Sequence, residues 1–280
     1  MVWGQHRSVD AGAVTLDGLD LDIRVRKPKD DPLEFTVTTW NLTEESWQRI
    51  SDGDLCRIEL GWTDGPIETV IIGEIDTRDR SADRGDISYK LAGVDQTEAV
   101  TKAKPYDSWG QKAWLNKRPD QIVDAMASEV GLSVQTTRAG SPIQGMWSIS
   151  PDKTLSGNLD DLLQIAAEKT DVEWEWFAGR GQIYFLPRNQ GTQDAPELSY
   201  DGLLLSLGAK SDTSDDTEGQ LTFEAMLEPR IAKGATVYVN TDSYQGPYRV
   251  SDYEFKSSTD SGDHLVTGTL TPIDADYSVE

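Results

Sequence analysis

The spacing of apolar residues changes period twice along this 280-residue chain, and that change limits the folds open to it. Toward both ends apolar side chains recur at every second position, whereas in the middle they recur at every third or fourth. A period of two belongs to a half-buried β-strand and a period near 3.6 to an amphipathic helix. The order is therefore β, then α+β, then β.

In the first stretch Leu19, Leu21, Ile23 and Val25 alternate with Asp20, Asp22 and Arg24, which predicts a strand with one wet face. The run from Lys27 to Pro32 breaks it, and Phe35 to Trp40 predicts a second strand. Thr43-Glu44-Glu45-Ser46 predicts a short helix capped by Thr43 that ends near Ser51-Asp52-Gly53-Asp54. Leu55 to Trp62, Thr69 to Ile75 and Asp86 to Val94 predict three more strands, separated by turn chemistry at Thr63-Asp64-Gly65-Pro66 and Asp83-Arg84-Gly85. Five or six antiparallel strands in this space predict a small barrel or sandwich.

In the middle, Pro119 opens a helix with Ile122, Val123, Met126 and Val130 on one side, stopped by Gly131. Leu132-Ser133-Val134 resumes a strand, and Gly140 to Pro151 reads as loop. A second helix, capped by Asn158 or Ser156, buries Leu159, Leu162, Leu163 and Ala166. Val172, Trp174 and Trp176 then alternate with Glu173 and Glu175, and Gly179-Arg180-Gly181 turns the chain into a hairpin with Gln182 to Leu186. After a polar linker the text is again strand: Leu203–Leu207, Leu221–Met226, Ala235–Val239, Tyr248–Phe255 and Leu265–Leu270. The expected fold is mainly β with an α+β insertion. Two small antiparallel β-barrel-like domains, residues 1–100 and 196–280, flank a helix-containing module at 101–195. The outer domains are alike in architecture, and no repeat of fixed period relates their sequences.

Composition narrows the chemistry. With 49 acidic and 26 basic residues the net charge is −23, which excludes unspecific binding to nucleic acid or anionic membrane as the main role. A single cysteine, Cys56, excludes an internal disulfide framework and a thiolate zinc cluster, and its apolar setting predicts a packed side chain. No run approaches the ~20 apolar residues of a membrane span, and Met1 to Arg7 lacks a signal peptide's apolar segment, so synthesis and folding in a cytoplasm are expected. His6 and His264, both in polar contexts, are the only histidines, and no serine-hydrolase, zinc-protease, phosphate-loop or dinucleotide motif is present. No catalytic residue, metal ligand or cofactor is expected. Asp212 to Gly219 looks like a calcium loop but carries Thr217 where the tight turn needs Gly and Phe223 where a bidentate Glu belongs; a solvated loop is expected instead. Trp174 and Trp176 share one strand face, where they serve as core, as partner contacts or as a sugar-stacking platform.

Several short segments, taken in order, carry a family resemblance. They are Phe35-Thr36-Val37-Thr38-Thr39-Trp40-Asn41-Leu42, then Trp47, Ile50, Gly53-Asp54, Ile58-Glu59-Leu60-Gly61-Trp62 and Ile72-Gly73-Glu74-Ile75. Leu91, Gly93 and Val94-Asp95 follow, and near the other end Met226-Leu227-Glu228-Pro229, Gly234 and Gly246-Pro247-Tyr248-Arg249-Val250. Together these resemble the tail hub (baseplate hub) proteins of tailed phages and archaeal tailed viruses. Trp62 replaces the family's usual Tyr, and Glu228 its usual Asn in the turn before Pro229. The positions matching the hub signature are Trp40, Asn41, Gly53, Asp54, Gly61, Trp62, Gly73, Asp95, Pro229, Gly234, Gly246 and Tyr248.

The resemblance implies a structural virion protein: a trimeric hub at the distal end of the tail tube, part of the channel that DNA crosses during ejection without specific binding. Its partners would be two further copies of itself, the tube or distal tail protein, and tail-tip, fibre or spike proteins. It would be assembled in the host cytoplasm and reside in the virion tail. A carbohydrate-binding adsorption module of the tail tip and a tail hydrolase are the alternatives. Acidic stretches at Asp10–Asp22, Asp76–Asp86, Asp212–Glu218, Asp252–Asp263 and Asp274–Glu280 fit an acidic channel wall or a halophilic source. Their spread favours high salt together with a mildly acidic lumen.

Overall fold

The computed structural model describes residues 4–29, 31–83, 86–102, 112–188, 190–192, 196–210 and 219–273. In chain order the strands begin with β1 (Gln5–Ala11), β2 (Val14–Thr15), β3 (Leu21–Lys27), β4 (Glu34–Trp40), β5 (Leu55–Trp62), β6 (Ile67–Asp83) and β7 (Asp86–Asp95), with helix α1 (Glu44–Gln48) after β4. The middle holds α2 (Gln96–Lys102), β8 (Ala113–Leu115), α3 (Pro119–Glu129), β9 (Ser133–Thr136), β10 (Met146–Ser148), α4 (Leu155–Thr170), β11 (Trp174–Gly179) and β12 (Gln182–Pro187). The chain closes with β13 (Leu204–Ala209), β14 (Leu221–Met226), β15 (Thr236–Asn240), β16 (Gln245–Ser258) and β17 (His264–Pro272). These form two compact units, Met1–Asp95 with Gly191–Glu280, and Gln96–Gln190.

The first unit is a single twelve-stranded antiparallel sheet in the order β13-β14-β17-β16-β3-β4-β7-β6-β5-β1-β2, with β15 also on β16. The two outer stretches of sequence, expected to stand apart, are hydrogen-bonded together where β16 meets β3, with Phe255 opposite Val25 and Ser257 opposite Ile23. The cause is length. Strand β16 runs for 14 residues and β15 for only 5, so half of its edge would be bare without β3. One apolar core accordingly takes Ile23, Val25, Phe35 and Leu91 from one stretch and Phe223, Val250, Phe255 and Val266 from the other.

The sheet contains a repeat that the residue text hides. Strands β3 to β7 pair first with second, second with fifth, fifth with fourth and fourth with third; β13 to β17 pair in the same way. In both halves the fourth strand is long and the fourth–fifth pairing carries a β-bulge. In both, a phenylalanine of the second strand lies opposite a glycine of the fifth, Phe35 on Gly93 and Phe223 on Gly268. A Cβ on Gly93 would collide with the Glu74 carbonyl oxygen and one on Gly268 with that of Asp252, while each ring edge would stand about 3 Å away. Only glycine allows this approach of backbone and ring.

The second unit packs α3 and α4 on the hairpin β11–β12, to which β9 adds in parallel. Ile122, Val123 and Met126 meet Leu159, Leu162, Trp174 and Phe185 there. Helix α4 starts earlier than its capping residues predict: Thr154 Oγ1 accepts the Gly157 N–H at 3.2 Å. Asn158 is instead buried and accepts from the Ser150 N–H at 2.8 Å. Burial of Leu155 selects Thr154 over the equally suitable Ser156. The segment Gly140–Pro151 is not all loop, since β10 within it pairs with β8 and sets Trp147 against Trp114 at 5.7 Å.

Candidate functional site

Within the β unit, the described polar chemistry concentrates where the two halves of the sheet lock together. Strand β5 ends in Gly61-Trp62 and β17 begins at His264. The Trp62 indole N–H donates to the Leu227 carbonyl at 2.7 Å, and its ring meets the His264 ring edge-on at 4.6 Å. His264 Nε2 lies 2.7 Å from the Gly61 carbonyl oxygen, which can only accept, so Nε2 carries the proton and Nδ1 accepts from the Ser257 hydroxyl at 2.7 Å. Arg7 completes the cluster, donating through Nε to Ser257 Oγ at 2.6 Å and through Nη2 to the Ser258 carbonyl at 2.9 Å.

His264 is 3% exposed, contrary to the polar turn its neighbours predict. Burial pulls its pKa down to about 4; the Gly61 hydrogen bond opposes this, and the charges of Arg7 and His6 add to it. The Ser257 hydroxyl beside this neutral imidazole is fully buried and already receives Arg7, so the pair fastens strands. Cys56, also buried, has its thiol pushed up to about 12 by desolvation, with Asp10 adding, and is chemically quiet.

The signature positions fall within strands, at strand ends and in turns of the same sheet. Trp40 closes β4 and its N–H donates to the Asp20 carbonyl. Asn41 follows in the left-handed region at φ 63° and Nδ2 donates to Asp20 Oδ2 at 3.4 Å. Gly53 (φ 87°) donates to the Ile75 carbonyl, and Asp54 accepts from the Ser51 N–H through its side chain at 2.7 Å. These two thereby tie the end of α1 to β6. Gly73 lets Phe35 and the Val94 carbonyl come close, and Asp95, fully buried, donates its N–H to the Leu33 carbonyl. Gly61 has no room for a Cβ against Pro66. Gly234 (φ 83°) and Gly246 (φ 125°) sit in the second half, where Gly234 donates to Val250 and Tyr248 pairs with Val237.

Glu228 holds the turn before Pro229 closed. Its buried carboxylate takes the Arg230 N–H at 3.2 Å and the Arg230 guanidinium at 2.7 and 3.1 Å. Trp174 is buried in the α+β unit. It is 3% exposed, its ring lies tilted against Phe185 at 5.1 Å and its indole N–H donates to Thr170 at 2.7 Å, the core position among the three offered by the sequence. Trp176 is half-buried and donates to Asp160 at 2.6 Å.

Charge is distributed unevenly between the units. The β unit carries 16 Lys and Arg against 37 Asp and Glu, net −21, and the α+β unit 10 against 12, net −2. All five acidic stretches read from the sequence belong to the β unit, although 212–218 and 274–280 lie outside the described residues. Across the wet face of the sheet, Glu224, Thr267, Glu254, Arg26, Glu34, Val94 and Glu74 form one continuous cross-strand row through both halves. It holds four carboxylates and one guanidinium. Among the described residues no three His, Cys, Asp or Glu side chains are placed to hold a metal ion, and no helix is long and apolar enough to cross a membrane.

No family model and no curated protein matches the chain. Solved structures do. The 43 kDa tail protein of prophage MuSo2 from Shewanella oneidensis superimposes with a TM-score of 0.69 at 16% identity over 97% of this chain and 98% of that one. The tail protein from Neisseria meningitidis MC58 gives 0.62 at 14% identity, covering 95% and 96%. The Escherichia coli c3393 protein gives 0.61 at 11% identity, covering 97% and 78%; it is described as a type VI secretion component with structural similarity to the T4 tail proteins gp27 and gp5. The chain shares the fold of these proteins along nearly its whole length.

Proposed function

We propose that this chain is a structural protein of a viral tail, a hub of which three copies close a ring at the distal end of the tail tube. The carrying observation is the duplicated strand order. Each chain presents two equivalent five-stranded halves, so three chains present six, which suits a sixfold tube or distal tail protein on one side and threefold tail-tip proteins on the other. The tail-protein neighbours support the setting.

The wet face of the sheet lines the channel. Eight strands per chain, β13 to β6 along the sheet, make about 24 in a closed ring of three, beyond the 16–18 at which barrels already enclose water. The carboxylate row then faces the lumen and repels phosphate, so DNA slides without sticking. Concentration of −21 on the β unit favours this channel explanation; high-salt adaptation remains a source of the surplus. On this reading the protein is assembled in the host cytoplasm and resides in the virion tail. Native mass spectrometry of the full chain from about 1 M ammonium acetate tests the reading: a trimer supports it, and a monomer or dimer at every concentration overturns it.

A further inference from the structure

The two halves of the β unit differ at one turn. Strand β5 ends in Trp62 and turns through Thr63-Asp64-Gly65-Pro66; its counterpart β15 ends in Asn240 and turns through Thr241-Asp242-Ser243-Tyr244. In the first half β1 runs along the far edge of β5, with Gln5 opposite Trp62 and the Thr63 N–H donating to the Gly4 carbonyl. In the second half, among the described residues, the far edge of β15 is paired only at Leu198. A cleft of about 660 Å³ opens there, between residues 197–201 and the turn 240–245, with Leu207 of β13 also on its wall.

Both walls are fixed by the fold itself. The Leu198 N–H donates to the Tyr238 carbonyl at 2.8 Å, and the Leu198 carbonyl accepts from Asn240 at 3.0 Å. The Ser199 carbonyl accepts the N–H groups of Gly202 and Leu204. In the turn, the Thr241 hydroxyl accepts the Tyr244 N–H at 3.1 Å, and the Asn240 amide donates to the Glu197 carboxylate at 2.7 Å. A preformed site spares a ligand the cost of ordering it.

The lining selects its ligand by elimination. The carboxylates of Glu197, Asp201 and Asp242 have no cation among the described lining residues, which turns away phosphates and other anions. No three described Asp, Glu, His or Cys side chains are placed to hold a metal ion. Leu207 is the one aliphatic side chain among the described lining residues, too little for an apolar ligand. A hydroxyl-rich ring satisfies what remains. Its O–H groups donate to the carboxylates, the amides of Asn240 and Gln245 both give and take hydrogen bonds, and its C–H face covers an aromatic ring. Tyr200 offers such a ring, 58% exposed, and Tyr244 is a second, half-buried one. We propose that this cleft binds a neutral oligosaccharide. The site lies within one copy and does not depend on the ring of three.

The test places the full chain over a surface printed with neutral hexasaccharides of glucose, mannose, galactose and N-acetylglucosamine, beside sialylated and sulfated oligosaccharides and an arginine-rich peptide. Saturable binding to at least one neutral hexasaccharide is expected, with none to the anionic sugars. It should persist in ~1 M KCl, because no pair of charges is being screened. Tyr200→Ala and Asp242→Asn, both at exposed positions and checked by circular dichroism, should each weaken it at least about tenfold. Asp64→Asn, at the matching turn of the first half, should leave it unchanged. No binding to any neutral sugar, or binding that both cleft variants keep, would overturn the proposal. Binding to the arginine-rich peptide alone, lost in ~1 M KCl, would overturn it in favour of a basic protein partner. Native mass spectrometry of the same variants should match that of the native chain, so that a failed cleft and a failed ring are read separately.

Discussion

Lowering the pH from 8 to 5 should loosen the β unit through one residue, His264. The imidazole is neutral in the folded protein because burial holds its pKa near 4, against 6.5 when exposed. A group whose folded pKa is depressed contributes stability that is present above 6.5 and is lost as pH falls toward 4. The full span of 2.5 units corresponds to roughly 3 kcal/mol, of which about 2 kcal/mol is gone at pH 5. At that pH most free carboxylates are still ionised, so the His contribution is separable. Chemistry at the site explains the cost: a second proton on Nδ1 would point at a Ser257 oxygen that already receives Arg7, beside the Arg7 charge. The assay is urea unfolding at pH 8, 6 and 5 of the native chain and of His264→Gln, whose amide keeps a donor for the Gly61 carbonyl. The native chain should lose about 2 kcal/mol more than the variant between pH 8 and 5. Parallel losses in the two proteins would refute the assignment of a neutral, buried imidazole.

Three further outcomes follow from the packing. Gly93→Ala should cost at least about 3 kcal/mol or prevent folding, because its Cβ collides with backbone at Glu74, while Gly18→Ala, in open space at φ 70°, should cost only about 1 kcal/mol; thermal melts compare the two. Trp62→Phe should cost about 1–3 kcal/mol in urea unfolding, since the buried Leu227 carbonyl loses its donor while the ring volume is largely kept. Raising KCl from ~0.15 M to ~1 M shortens the Debye length from about 8 Å to about 3 Å, so the melting temperature and self-association should both rise, and the gain should track the β unit, where the surplus charge sits. Equal or lower stability in high salt would contradict that balance of repulsion over ion pairing.

Strand identity was legible because the signals are local. Alternation at Leu21–Val25 marks a half-buried strand, and Thr43 marks a helix start whatever lies elsewhere, as its bond to the Ser46 N–H at 3.1 Å bears out. Pairing partners were not legible. Nothing in Tyr253 to Ser258 says that β3, more than two hundred residues earlier, will cover its edge, because edge satisfaction depends on which strands are longer than their hairpin mates. The duplication escaped for a related reason: only topology and the Phe–Gly contacts are repeated, so Phe35 and Phe223 stand in dissimilar text. His264 was misplaced because its polar neighbours Asp263 and Ser261 describe the turn before the strand and not the interior its ring enters. The Glu228 carboxylate holds its turn by taking both the N–H and the guanidinium of Arg230, a pairing two residues apart that the turn itself brings together.

In the proposed ring of three, each copy contributes two equivalent parts. End-on electron-microscope images of assembled tails, or of the ring isolated in high salt, test it through their rotational symmetry. Threefold symmetry with a strong sixfold component at the radius of the β units is expected. A ring of any other copy number, or threefold density with no sixfold component at that radius, would contradict it.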